Sequence, residues 1–263
     1  MQSHDKLNIV ENNVDDFVHG VCDWGSYRLG YFLARARGKE KANEDSVFVI
    51  SNEKKAFFGV SDGAGGHPKG DEASSITVNV MKDLVSEKSS ALSPLDLIFS
   101  ANNKVLDLKV GARCTLTFCE LDDNYIQAFS VGDSEVIGWN HLGTEIYSNI
   151  PDSATGHSIE AGYMTQEESL NDPERYIVNN MIGDKTLRVE VSSKIETKKG
   201  HTYLVGSDGL FDNFSHKALY AMIGEGSFEE SLKDLVLKCQ EQKSELFQKN
   251  DDISFVLVRK VKA

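Results

Sequence analysis

Basic residues, cysteines and long apolar runs are all scarce in this chain, and each shortage removes a class of protein. Only 28 lysines and arginines stand against 41 acidic residues, for a formal net charge of -13. That balance opposes binding to phosphate backbones, so no nucleic-acid partner is expected. No segment reaches the roughly 18 consecutive apolar residues of a membrane span. The opening MQSHDKLNIVENNVDDF is too polar and acidic for a secretory leader. The expectation is a soluble, cytoplasmic protein with no membrane partner. Cys22, Cys114, Cys119 and Cys239 form no CxxC pair and have no histidine at zinc-ligand spacing, so they read as buried free thiols.

What is present is enough for one large core: 263 residues, 40% of them hydrophobic, without internal repeats or low-complexity segments. A single domain over 1–263 is expected. Arg28 to Ala34, Ser46 to Ile50 and Ala56 to Ser61 have strand character, and the polar turn Ser51 to Lys55 joins the last two as an antiparallel hairpin. A helix follows Gly70, with Ala73, Ile76, Val80, Met81 and Leu84 on one face. A second helix is opened by Ser93 as N-cap and Pro94 at the first helical position. Thr115 to Leu121, Tyr125 to Val131 and Glu135 to Asn140 then predict a three-stranded meander with turns at Asp122-Asp123-Asn124 and Gly132-Asp133-Ser134. Residues 151–184 are polar and weakly periodic, which predicts a flap over the surface. Thr202 to Gly206 and Ile253 to Lys260 are late strands. Ser227 to Glu230 is a capping box, opening a helix that buries Leu232, Leu235, Val236 and Cys239. The sum is an α+β chain with antiparallel sheets.

Acidic residues stand where those strands end. Gly59-Val60-Ser61-Asp62-Gly63 runs from an apolar strand into a carboxylate and a glycine-rich turn, and Val205-Gly206-Ser207-Asp208-Gly209 repeats the arrangement. Asn250-Asp251-Asp252 precedes the last strand, Asn43-Glu44-Asp45 precedes an earlier one, and Asp133 lies between two more. Any one of these also reads as an ordinary turn, because Asp-Gly is a common turn dipeptide and Asp often caps helices. Together they form an oxygen-only set that suits hard cations such as Mg2+ or Mn2+, which in two-metal sites lie roughly 3.5 to 4 Å apart.

The order NEDS, GVSDGAGGH, GARCTL, VGDS, GSDGLFD and NDDIS resembles the PPM family, the type 2C Ser/Thr protein phosphatases, over about Gly30 to Arg259. The resemblance implies a four-layer α-β-β-α sandwich with two central antiparallel sheets and a binuclear Mn2+ or Mg2+ site at one edge. It implies two ions per chain, with room for a third. Asp62 is expected to bridge the two ions, the Gly63 carbonyl to bind one of them, and Asp208 and Asp251 to complete the direct ligands. Glu44 and Asp45 would hold coordinated water, Asp133 would serve a separate third site, and Asp252 would support the others. The implied reaction is attack of a metal-bridging hydroxide on phosphoserine or phosphothreonine in a protein substrate. No CxxxxxR loop supports a cysteine phosphatase instead.

Two departures from the family pattern are visible. Relatives place an arginine shortly before the NED-like motif to grip phosphate, whereas this chain offers Lys41, with Lys39 as second choice; solvated surface lysines are the plain alternative. Ala64 stands where some relatives carry a histidine, and His67 either orients a water or caps the helix that follows. A partner-binding pseudophosphatase and a phosphatase of small phosphorylated metabolites are the competing readings.

Overall fold

The computed structural model describes residues 4–86, 92–241 and 249–262. Its strands are β1 (Asn8–Asn12), β2 (Phe17–Trp24), β3 (Tyr27–Ala34), β4 (Asp45–Ser51), β5 (Ala56–Asp62), β6 (Leu116–Leu121), β7 (Tyr125–Val131), β8 (Glu135–Trp139), β9 (Glu145–Ser148), β10 (Glu190–Val191), β11 (Ile195–Glu196), β12 (Thr202–Gly206) and β13 (Ile253–Lys260). The α-helices are α1 (Gly70–Met81), α2 (Pro94–Leu106), α3 (Ala154–Glu160), α4 (Gln166–Ser169), α5 (Asp208–Phe211), α6 (His216–Ile223) and α7 (Phe228–Gln240).

Two antiparallel sheets face each other. One has the order β1-β4-β5-β6-β7-β10, with β11 also on β7; the other has the order β2-β3-β13-β12-β8-β9. Alternation along each strand explains the four layers. On β4, Val47 and Val49 enter the core between the sheets, while Phe48 and Ile50 point to the layer of α1 and α2. On β13, Val256 and Val258 face inward between the sheets, whereas Phe255 and Leu257 meet α6 and α7. Both faces of these strands are therefore covered, which is why their sequences are continuously apolar.

The outer helices follow their local signals. Ser93 accepts from the Asp96 amide and Asp96 returns the bond to Ser93, closing the capping box of α2 with Pro94 at its first turn. Ser227 and Glu230 do the same for α7, which buries Leu232, Leu235, Val236 and Cys239 as expected. Cys114, Cys119 and Cys239 are buried free thiols, but Cys22 on β2 is only half-buried.

The expected meander needs correction. β6 and β7 pair, but β8 leaves that sheet and pairs with β12 in the other. The turn between them holds Gly132 at φ +100°, and a Cβ there would come within 2.7 Å of the Thr115 side chain. This left-handed glycine turns the chain from one sheet to the other. Asp133 consequently sits at the seam where the two sheets meet. Residues 151–184 contain only α3 and α4 as helices, and Ile182 is the one of their hydrophobic side chains in the main cores.

Candidate metal centre

The acidic corners converge. Glu44 and Asp45 open β4, Asp62 closes β5, Asp208 follows β12, Asp251 precedes β13, and Asp133 sits in the sheet-switching turn. A cleft of about 460 Å³ is lined by Glu44, Asp62, Gly63, Asp133, Asp208 and Asp251, and also by Tyr176 to Val178 and Met181 of the 151–184 segment. Asp45 lies behind this lining, opposite Asp62 in the β4–β5 register and 1% exposed.

Backbone bonds fix the tips. The Asp62 amide donates to Thr115 Oγ1 at 3.0 Å, and the Thr115 amide donates to the Asp62 carbonyl at 2.7 Å. The Gly63 amide donates to the Glu44 carbonyl at 3.0 Å. A Cβ on Gly63 would meet the Gly70 backbone at 2.4 Å and the Glu44 carbonyl oxygen at 2.8 Å, so only glycine permits this approach. At the other sheet, the Ser207 amide donates to the Ser254 carbonyl and the Ser254 amide to Ser207 Oγ, both at 3.0 Å, which joins the ends of β12 and β13 beside Asp208.

Asp252 does not face the cleft. It is 2% exposed, and its Oδ1 accepts from the Ala36 amide at 2.7 Å. Its Oδ2 accepts from the Glu44 amide at 2.7 Å and from Lys39 Nζ at 2.6 Å. Lys39 also pairs with Glu44 Oε2 at 2.8 Å. Lys41 is exposed. Among the described residues lining the cleft, neither lysine appears, and the one lysine or arginine present is Lys249. His67 lines the cleft, but it does not cap α1: its Nδ1 donates to the Gly111 carbonyl at 3.2 Å, and Lys69 at the N-cap makes no side-chain cap bond.

Crowding of like charges shows in the proton affinities. Burial, and after it the Asp252 carboxylate, push Asp45 up to about 8. Burial together with Asp45 and Asp208 holds Asp62 well above the usual carboxylate range, and burial with Asp208 does the same to Asp133. Burial would also raise Asp208, but the Lys249 ammonium overrides it and holds the group below its ordinary value. Asp212 is pushed up to about 7 by burial and Asp208, against the pull of Lys249 and Arg175.

Lys249, Asp212 and Arg175 escaped the sequence reading. Lys249 Nζ contacts Asp208 and lies 3.1 Å from Asp212 Oδ2 and 3.3 Å from Asp251 Oδ2. Arg175 Nε lies 3.4 Å from Asp212 Oδ2. Asp212 was signalled by its helical i, i+4 spacing from Asp208, and Lys249 by its place two residues before Asp251; nothing local signals Arg175.

The donors fit hard cations. Both carboxylate oxygens of Asp45 and Oδ1 of Asp208 are buried without a hydrogen-bond partner, an arrangement that costs free energy unless a cation satisfies it. All the candidate donors are oxygens. Among the described residues, no three His, Cys, Asp or Glu side chains are already gathered into a ligand cage; the Lys249 ammonium stands between three of the carboxylates.

A four-layer sandwich carrying an acidic cleft with oxygen donors at one edge defines a PPM-type catalytic fold. The family model for protein phosphatase 2C matches residues 34–250. The chain belongs to that family. It is 27% identical over 212 residues to a candidate 2C-type protein phosphatase of Streptococcus pyogenes serotype M6, covering 75% of this chain and 85% of that protein. With the serine/threonine protein phosphatase PstP of Mycobacterium tuberculosis it shares 25% identity over 219 residues, 79% of this chain but only 41% of PstP. Among solved structures, Stp1 of Staphylococcus aureus superposes with a TM-score of 0.75 at 20% identity, over 89% of this chain and 95% of that one. The PstP catalytic domain in complex with two manganese ions gives a TM-score of 0.70 at 20% identity, over 90% and 99%. These structural likenesses establish the fold. The family is metal-dependent. Among the described residues, no helix is long and apolar enough to cross a membrane.

Proposed function

We propose that this chain is a single catalytic domain that hydrolyses phosphoserine and phosphothreonine in proteins with two Mn2+ or Mg2+ ions. The observation that carries the reading is the convergence of Glu44, Asp62, Asp133, Asp208 and Asp251, from the tips of strands in both sheets, on one cleft. Asp62, the Gly63 carbonyl, Asp208 and Asp251 are the proposed direct ligands. Glu44 and Asp45 would hold coordinated water, and Asp133 would serve a third, separate ion. Divalent cations held there would supply charge to neutralise phosphoryl oxygens and to lower the pKa of the attacking water.

The chain's own residues supply position and enclosure. Asp62 and Asp45 are held opposite each other by strand register, and Asp252 fixes the backbone of Glu44. The 151–184 segment, proposed as a flap, brings Tyr176, Ile177, Val178 and Met181 to the lining of the same cleft, where a peptide flanking the phosphoresidue would lie. A protein substrate, rather than nucleic acid or membrane, is consistent with the acidic surface.

The test is turnover of p-nitrophenyl phosphate and a phosphothreonine peptide with Mn2+ and with EDTA. Activity is expected with the metal, lost with the chelator and abolished by Asp208→Ala. Turnover that survives EDTA sinks the proposal. Preference for small phosphorylated metabolites over the peptide would move the substrate class.

A further inference from the structure

The metal centre already contains a cation of its own. Lys249 is 19% exposed, and its ammonium contacts the carboxylates of Asp208, Asp212 and Asp251, the first and last of which are proposed metal ligands. Its backbone is clamped from both sides by one side chain: the Lys249 amide donates to Asn213 Oδ1 at 3.0 Å, and Asn213 Nδ2 donates to the Lys249 carbonyl at 3.0 Å. Asn213 Nδ2 also donates to the Gly209 carbonyl at 2.8 Å, tying this clamp to α5, which begins at Asp208. The lysine is therefore held in register with the carboxylates it touches.

One monovalent ammonium cannot neutralise three carboxylates, whereas a divalent cation with bare oxygen donors has the greater claim on Asp208 and Asp251. Asp212 lies outside the proposed ligand set, 3.1 Å from the ammonium, and is placed to retain Lys249 within the cleft. The ammonium has three donors and no acceptor. With Asp208 and Asp251 taken, two of those donors are released into a cleft whose other described lining residues include no lysine or arginine.

We propose that Lys249 exchanges partners: without metal its ammonium holds Asp208 and Asp251 in place, and once divalent cations displace it there, it turns to the phosphoryl oxygens of the substrate. This rests on the phosphatase reading, and it supplies the basic residue that the segment before Glu44 does not, since Lys39 is committed to Glu44 and Asp252. The exchange has two sides, and a single substitution separates them.

In Lys249→Met, calorimetric Mn2+ affinity is expected to tighten by about tenfold or more, because a repelling charge and a competitor are both removed. The melting temperature in EDTA is expected to fall below that of the parent protein, as the carboxylates lose their counter-ion. Inorganic phosphate, titrated calorimetrically into the Mn2+-loaded protein, is expected to bind about tenfold more weakly, the loss of one charge-assisted hydrogen bond. Lys249→Arg should retain phosphate affinity, and Lys249→Gln should reproduce the Met pattern. Unchanged or weaker Mn2+ binding in Lys249→Met overturns the proposal, as does unchanged phosphate affinity. None of these measurements requires turnover, so a protein that fails to hydrolyse any phosphoester would refute the phosphatase reading while leaving the exchange to be judged separately.

Discussion

Removing the Asp252 carboxylate should loosen the acidic centre from behind. The side chain is buried and accepts three hydrogen bonds, from the Ala36 amide, the Glu44 amide and Lys39. In Asp252→Ala both amides lose their acceptor, and each orphaned buried donor costs about 1–3 kcal/mol. Lys39 loses one of its two partners, but it keeps Glu44 at 2.8 Å and some access to solvent. Its share therefore falls well below the roughly 3–5 kcal/mol of a buried pair broken outright. With about 1 kcal/mol for each amide and about 2 kcal/mol for Lys39, the total is about 4 kcal/mol. For a chain of 263 residues, an unfolding entropy of about 2.1 cal/mol/K per residue turns that into a fall in melting temperature of about 7 °C.

Scanning calorimetry in EDTA reads this directly. Asp252→Asn keeps one acceptor oxygen but turns an NH2 group toward a donor, so it should lose about half as much, near 3–4 °C. Because Asp252 fixes the backbone of Glu44, both variants should also bind Mn2+ more weakly. A melting temperature for Asp252→Ala within 2 °C of the parent would show that these three bonds hold nothing together.

Two further outcomes test the frame around the cleft. His216 is half-buried between Glu135 at 3.0 Å and Glu145 at 3.4 Å; desolvation pulls its proton affinity down, but the two carboxylates prevail and bring it up to about 9. Since the folded value lies above the unfolded one near 6.5, the stabilisation is complete below pH 6.5 and disappears as pH rises through 9. The melting-temperature gap between the parent and His216→Gln should therefore be about 2–5 °C at pH 6 and close at pH 10, and a gap independent of pH refutes it. Gly209→Ala places a Cβ 1.9 Å from the Asp252 carbonyl oxygen. It should destabilise by about 3 kcal/mol or abolish folding, as thermal denaturation will show, and a neutral result would mean that α5 does not pack as described.

The parts of the fold that sequence reveals are those whose neighbours are symmetrical. β4, β5, β12 and β13 are covered on both faces, so their apolar runs are unbroken and read as strands regardless of partner. β1 and β2 lie at sheet edges with half-exposed, mixed sequences, NIVEN and FVHGVCDW, and their pairing with β4 and β3 supplies what their own pattern lacks. β10 and β11 have two residues each and exist only by pairing with β7. The meander failed for a related reason. Alternation tells which residues of β8 are buried, but it cannot say in which sheet, and that choice is made by the conformation of Gly132 and by pairing with β12.

The same division runs through the acidic cleft. Carboxylates at strand ends are legible because a strand has an end in sequence as well as in space, and Asp62, Asp208 and Asp251 stand there together. For Asp208 the counter-ion has no such marker, since Lys249 lies close in sequence only to Asp251. Reading along the chain favours the lysines nearest Glu44, yet the structure binds Lys39 into the support beneath the cleft and leaves Lys41 in solvent. The antiparallel register instead sets the entry to β13 beside the exit of β12, bringing Lys249 to Asp208 across 41 residues of sequence. In a site assembled from the tips of strands in two sheets, a charge near one carboxylate in sequence can answer another far from it. The partner of Asp208 has to be sought along the sheet edge, and that search leads to Lys249.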